Sequence, residues 1–383
     1  MKKLFYLYLI SLTIVIRYFV NDENLDYFLI GSMMLLSFVG LFIKAYIKTD
    51  SFLPLLMILI MFLFSFLAHR ESFRSSTILY SLLFVTSFLS YTVIWDKSKV
   101  KISSVMKLIK YIIYAYAIVL FIQQIQSFSG MTHVFNLASD FSSKWKLNSL
   151  SMESSNTAMI IPLLMYCYIR LQELLLGEKL EIKQIYKRDK KIIIIFLYVT
   201  LTNGAMTALF TLPIFCLYFL RVKDIKYIIG VVIFGFGLAM GLKYAGVIEF
   251  DRITKVINAF FTFDINTIVD VDPSAACRIV PYFNYINAFN PLDPNFWIGH
   301  GIDSAETLAD YQILAIGEAK EGIGAMNIFS TFYDYGFIMT ISFVLFVYKF
   351  AITKVKSFDT LIYVLLYSVV PFNHYMLWIF LAY

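Results

Sequence analysis

IIIIFLYVTLTNGAMTALFTLPIFCLYFL, residues 192–220, is a run of 29 mostly apolar residues with a polar break at Thr202-Asn203-Gly204. Read as one long tilted helix, it crosses a bilayer once. Read as two short helices meeting at the break, it crosses twice, and every later segment changes side. Charge decides between the two. With the split, the short segments on one side carry Lys2, Lys3, Lys44, Lys48, five basic residues from Lys97 to Lys110, seven from Arg170 to Lys191, then Arg221, Lys223, Lys226, Lys349, Lys354 and Lys356, a total of 22. The short segments on the other side carry four, Arg70, Arg74, Lys144 and Lys146. Cytoplasmic loops concentrate Lys and Arg, so this asymmetry favours the split.

The composition requires such an account. A chain of 383 residues that is 60% hydrophobic and 15% charged, with a mean hydropathy of +0.75, does not fit a soluble domain. Apolar runs recur along it that are long enough to cross a hydrocarbon layer of about 30 Å as helices. Strand-like alternation is absent, which argues against a β-barrel. The reading is an all-α integral membrane protein of about 11 transmembrane helices (10–12). The spans are 4–20, 27–47, 52–68, 78–95, 111–125, 157–169, 192–202, 205–220, 227–247, 337–352 and 361–383. The first follows Met-Lys-Lys and lacks a small-residue cleavage site, so it reads as a retained helix. Cys167, Cys216 and Cys277 lie far apart, the first two within apolar runs, and read as packing residues rather than a disulfide or metal framework.

Residues 1–246 thus form the first nine spans, 247–336 a long extracytoplasmic loop, and 337–383 the C-terminal spans. The loop is patterned. Phe250, Ile253, Val256, Ile257, Phe260 and Phe261 share one helical face, with Arg252, Lys255 and Asn258 opposite, as in a helix lying on a membrane surface. Asp272-Pro273 predicts a capped second helix bearing Arg278. Asp303 with Glu306 predicts the opening of a third, toward Glu318.

No P-loop, dinucleotide fingerprint, His-Glu-x-x-His or nucleophile elbow is present, and nothing points to nucleic acid, a metal or a cofactor. What remains is an external polar surface. Arg278, Arg252, Arg70 and Arg74 are candidates for a phosphate group, because guanidinium forks match phosphate oxygens. Arg252 also reads as a headgroup anchor, and Arg70 and Arg74 as an interface pair beside Glu71. His300 is a candidate general base, although its place between two glycines also suits a simple turn. Glu153, at the entrance to the sixth span, is the second candidate base.

Four stretches carry a resemblance. RIVPYFNYINAFNPLDPNFWIGHGID (278–303) resembles the arginine, aromatic helix and glycine progression of O-antigen and capsular polysaccharide polymerases of the Wzy type and of the related O-antigen ligases. MNIFSTFYDYGFI (326–338) resembles the end of their long external loop, with Asp334 two residues before Gly336. SLSMESSNTAMIIP (149–162) is similar to their entry into a span, and LTNGAMTALFTL (201–212) to their polar break between short helices, which again favours the split.

The resemblance implies a GT-C-like glycosyltransferase of the bacterial cytoplasmic (inner) membrane. Its substrates would be undecaprenyl-diphosphate-linked oligosaccharides, and it would need neither metal nor nucleotide sugar. Its partners would be the lipid bilayer, a flippase and a chain-length regulator. Arg278 matches the family's external-loop arginine; Arg252 follows by its chemistry alone. Two departures stand out. Ala325-Met326-Asn327 replaces the histidine that ligases carry at the start of the last motif, which favours a polymerase over a ligase. The polar break, Asn203 to Thr207, lacks the family's second arginine. A lipid-linked oligosaccharide flippase is the competing class, but charges lining the spans are its expected mark, and Arg17 is nearly the only arginine within one. A non-catalytic scaffold would tolerate loss of Arg278.

Overall fold

The computed structural model describes residues 2–14, 27–42, 75–135, 147–151, 154–205, 290–301 and 328–351, with isolated residues between them. Among these the secondary structure is entirely helical: α1 (Lys2–Thr13), α2 (Tyr27–Phe42), α3 (Ser75–Ser98), α4 (Ile102–Ser129), α5 (Ser154–Leu176), α6 (Ile182–Thr202), α7 (Pro294–Ile298) and α8 (Ile328–Ala351). The chain divides into two compact units. One holds α1, α2, the part of α3 from Thr86, and α4 to α6; the other holds the start of α3, α7 and α8.

In the first unit, α4 packs against α5 and α6, α5 against α6, and α1 against α2 and α4. Helices α4 and α5, of 28 and 23 residues, are long and apolar enough to cross a membrane. At 1.5 Å per residue they span roughly 42 and 34 Å. On α4, Ile118, Phe121, Ile125 and Phe128 are exposed, whereas Ile109, Ile113, Leu120 and the polar Gln123 and Ser127 are buried, so apolar side chains lie on both faces. Near the start of the chain, Phe5 stacks on Tyr91 at 5.3 Å and packs against Trp95. Gly40 lets α2 come so close to α3 that a Cβ there would lie 1.9 Å from Ser90 Oγ. Small residues at such crossings are what lets helix backbones approach in a bilayer.

The helix ends have local causes. Gly130 takes a left-handed conformation (φ 67°, ψ 19°) after α4, and the Met131 N–H returns to Gln126 O at 2.9 Å. The side chain of Gln184 accepts the Glu181 N–H at 2.8 Å as α6 begins. Asp189 is non-helical (φ −150°, ψ 57°) and divides α6 into a short basic segment and the apolar remainder.

Several helices differ from their expected spans. Helix α1 is described from Lys2 to Thr13, and residues 15–20 of the expected first span lie outside the described residues; at its end Thr13 Oγ1 donates to Leu9 O and Ile10 O, and the Tyr116 hydroxyl donates to the Thr13 carbonyl. Helices α4 and α5 begin before and end after the apolar windows at 111–125 and 157–169, because hydropathy marks the apolar stretch and not the helix that continues past it. Helix α6 ends at Thr202, followed by Asn203 and a left-handed Gly204 (φ 71°), so the backbone breaks at the expected polar site. The spans at 52–68, 205–220 and 227–247 are described only at isolated residues, and 361–383 lies outside the described residues.

Candidate functional site

The four stretches that carry the resemblance meet in two pairs, one in each unit. In the second unit, the Gly-His-Gly of 299–301 lies against the Asp334 to Gly336 stretch of α8. Asp293 caps α7, accepting the Asn295 N–H at 2.9 Å, and Pro294 occupies the first turn, where its missing N–H leaves no bond unmade. After α7 the chain runs beside α8: the His300 N–H donates to Tyr333 O at 2.9 Å and the Gly301 N–H to Asp334 O at 3.0 Å. Two glycines allow this. Gly299 (φ 87°, ψ 172°) and Gly336 (φ 76°, ψ 175°) occupy a region that side chains avoid. A Cβ on Gly299 would lie 2.2 Å from Asp334 O, and one on Gly336 2.4 Å from Trp297 O. Gly336 interrupts α8, and the apolar part begins at Phe337, the expected start of that span.

The His300 ring stacks on Tyr333, with centroids 4.0 Å apart and planes 4° from parallel, and its Nδ1 lies 3.2 Å from Tyr333 O. With a carbonyl at that nitrogen, the proton belongs on Nδ1 and the basic lone pair on Nε2. Burial, reinforced by the charges of Asp334 and Asp293, pushes the Tyr333 phenol above its ordinary value, so it stays protonated at neutral pH. Ser304 Oγ donates to Asp334 Oδ1 at 3.0 Å. Phe296 packs against Phe332 and stacks on Phe337, while Trp297, its indole N–H on Pro291 O, stands 43% exposed. The arrangement offers an oriented imidazole, a carboxylate and an exposed aromatic surface.

In the first unit, residues 147–151 and the start of α5 pack on the polar break after α6. The Leu147 N–H donates to Asn203 O at 3.1 Å, and Asn203 Nδ2 donates to Ser154 O at 3.2 Å. Ala158, Ala205 and Ala208 form a small-residue core that permits the close approach, and Thr211 Oγ1 donates to Ala158 O at 2.9 Å. Buried amides hold the loop from the α4 side. Gln123 Nε2 donates to Asn148 Oδ1 at 3.0 Å, and Gln123 Oε1 accepts the Ser149 N–H at 2.9 Å. Nearby, Ser127 Oγ and His133 Nε2 lie 2.6 Å apart, and burial holds the His133 imidazole below its ordinary value. A neutral imidazole on a hydroxyl is a second base candidate.

Of the residues singled out in the sequence, His300 and Asp334 fall together in the second-unit contact. Glu153, Arg278, Arg252, Arg70, Arg74, Asp303, Glu306 and Glu318 lie outside the described residues. Sequence reasoning missed three features. The Asp-Pro signature noted at Asp272-Pro273 recurs at Asp293-Pro294, and there it starts α7. Ser127 and His133, six residues apart across the Gly130 turn, meet only because that turn folds back. Gln123 and Asn148 read as ordinary helix and loop residues until a contact 25 residues away joins them. Among the described residues no cluster of three or more His, Cys, Asp or Glu gathers as a metal site. No family of known proteins, no curated protein and no solved structure matches the chain.

Proposed function

We propose that the chain is a membrane glycosyltransferase that joins lipid-diphosphate-linked oligosaccharide units into a polysaccharide on the outer face of a bacterial cytoplasmic membrane. The observation that supports this reading most is the pairing of the four resembling stretches into two polar contacts, each closed by small residues that let backbones touch. In the proposed reaction an acceptor hydroxyl oxygen attacks the anomeric carbon of the donor sugar. The bond from that carbon to the diphosphate breaks, and the hydroxyl proton passes to a base. Diphosphate is already a good leaving group, so the protein's tasks are to neutralise it, orient the two sugars and take the proton. Arg278 is assigned to the diphosphate, with Arg252 beside it in role. His300, oriented by Tyr333, is assigned as base, and Trp297 as a surface on which a sugar ring can stack.

Glycan length in cells carrying Arg278→Ala, Arg278→Lys or His300→Gln tests the reading, with the amount of protein in the membrane measured in parallel. The expected outcome is normal protein level with single repeat units displayed. Long chains left unattached to their final acceptor would transfer the reading to a ligase. Unchanged surface glycan in the Arg278 variants would overturn it.

A further inference from the structure

We infer that the basic segment opening α6, together with the turn between α3 and α4, is a binding site for anionic phospholipid headgroups. This inference rests on the chain being a membrane protein and not on the glycan chemistry. Residues 182–191 contain five cations and a single carboxylate, Asp189. That carboxylate is turned inward. Lys110 Nζ of α4 donates to both of its oxygens, at 2.9 and 2.7 Å, and the Tyr168 hydroxyl of α5 donates at 2.5 Å. Of the acids before it, Glu173 is buried, bonded to Arg170 and to the Leu180 N–H, whereas Glu178 is exposed. Lys187, Arg188, Lys190 and Lys191 are exposed. The Lys110–Asp189 pair also ties α6 to α4, which exposed Lys101 precedes and whose second turn carries exposed Lys107, so two cationic segments are held on one body. Glu178 and Glu181 are the acidic residues of the intervening turn.

The apolar neighbours identify the partner. Leu174 and Leu175, near the end of α5, are 51% and 53% exposed, and Tyr186, within the basic segment, is 50% exposed. Nucleic acid or an acidic protein would be met by the charges alone. Exposed leucines at the end of a membrane-length helix, with the exposed cations entering across the turn at 177–181, match a surface that is acyl chain on one side and phosphate on the other. The non-helical Asp189 interrupts α6 within the basic segment, between Arg188 and Lys190.

The test uses the purified full chain in detergent micelles and counts retained lipid by native mass spectrometry during titration with phosphatidylglycerol, phosphatidylcholine or inorganic phosphate. The wild type is expected to prefer phosphatidylglycerol over phosphatidylcholine by about tenfold or more, weakening as salt is raised. Combining Lys187→Gln, Arg188→Gln, Lys190→Gln and Lys191→Gln removes that preference. Hydrogen exchange across 182–191 in the wild type, slowed by phosphatidylglycerol alone, supplies a readout that needs no variant. Equal retention of the two lipids, equal slowing by inorganic phosphate, or full preference in the folded variant would each overturn the inference.

Discussion

Replacing Gly336 by alanine attacks the contact between α7 and α8 at the point where the backbone has no room to yield. The native φ of 76° and ψ of 175° lie in a region almost confined to glycine, which costs a side chain about 1–3 kcal/mol. The new Cβ would also stand 2.4 Å from Trp297 O and 2.5 Å from Gly299 N, both backbone atoms and both well inside the 3.0 Å that real Cβ contacts respect. Relief requires the chain at 297–301 to move away from α8. Taking about 3 kcal/mol for strain and displacement together, the local opening equilibrium rises by more than about a hundredfold. The assay is hydrogen exchange at the amides of His300 and Gly301, which donate to Tyr333 O and Asp334 O and report the contact directly. Both are expected to lose their protection in Gly336→Ala and equally in Gly299→Ala, while α4 amides keep theirs. Wild-type protection at His300 and Gly301 in either variant would refute the close approach as the basis of the site.

Asn203→Ala removes the side-chain bonds to Ser154 O and from the Ala205 N–H at a position fully buried from solvent, and is expected to cost about 1–3 kcal/mol, read as a lowered Tm in detergent. An unchanged Tm would mean that the polar break is held by other contacts. Gly40→Ala pushes its Cβ against Ser90 and is expected to lower Tm, whereas Gly31→Ala on the same helix meets nothing within 4 Å and is expected to raise it by helix propensity of up to about 1 kcal/mol. Equal shifts in the two variants would contradict the close crossing of α2 and α3.

Local chemistry explains which parts of this fold were legible in the sequence. The break at Thr202-Asn203-Gly204 is legible because asparagine and glycine are residues that end helices. The start of the apolar part of α8 at Phe337 was visible because hydropathy rises there, just after the glycine that interrupts the helix. The full extent of α4 was not visible: Lys107 and Lys110 continue the helix outside the apolar window, and hydropathy measures solvent preference rather than backbone conformation. The Tyr116 hydroxyl that meets the Thr13 carbonyl at the end of α1 comes from 103 residues away, which no local pattern encodes. The site shows the same division. His300 drew notice as an imidazole between glycines, but its stacking on Tyr333 joins residues 33 apart, and the Ser127–His133 pair needs the left-handed turn at Gly130.

Tyr116 has a further consequence, in the timing of assembly. Its hydroxyl serves the Thr13 carbonyl, and its own carbonyl accepts from Ser149 Oγ at 2.7 Å, so one residue fastens a segment made well before it to one made well after it. At translation rates of about 5–20 residues per second, Thr13 leaves the ribosome roughly 5–20 s ahead of the hydroxyl that completes its helix end. Through that interval the carbonyl must find another donor, such as water, since a backbone acceptor buried without a partner is costly. The end of α1 is therefore a place where local structure waits for synthesis. Tyr116→Phe removes the donor that the later helix brings to that carbonyl.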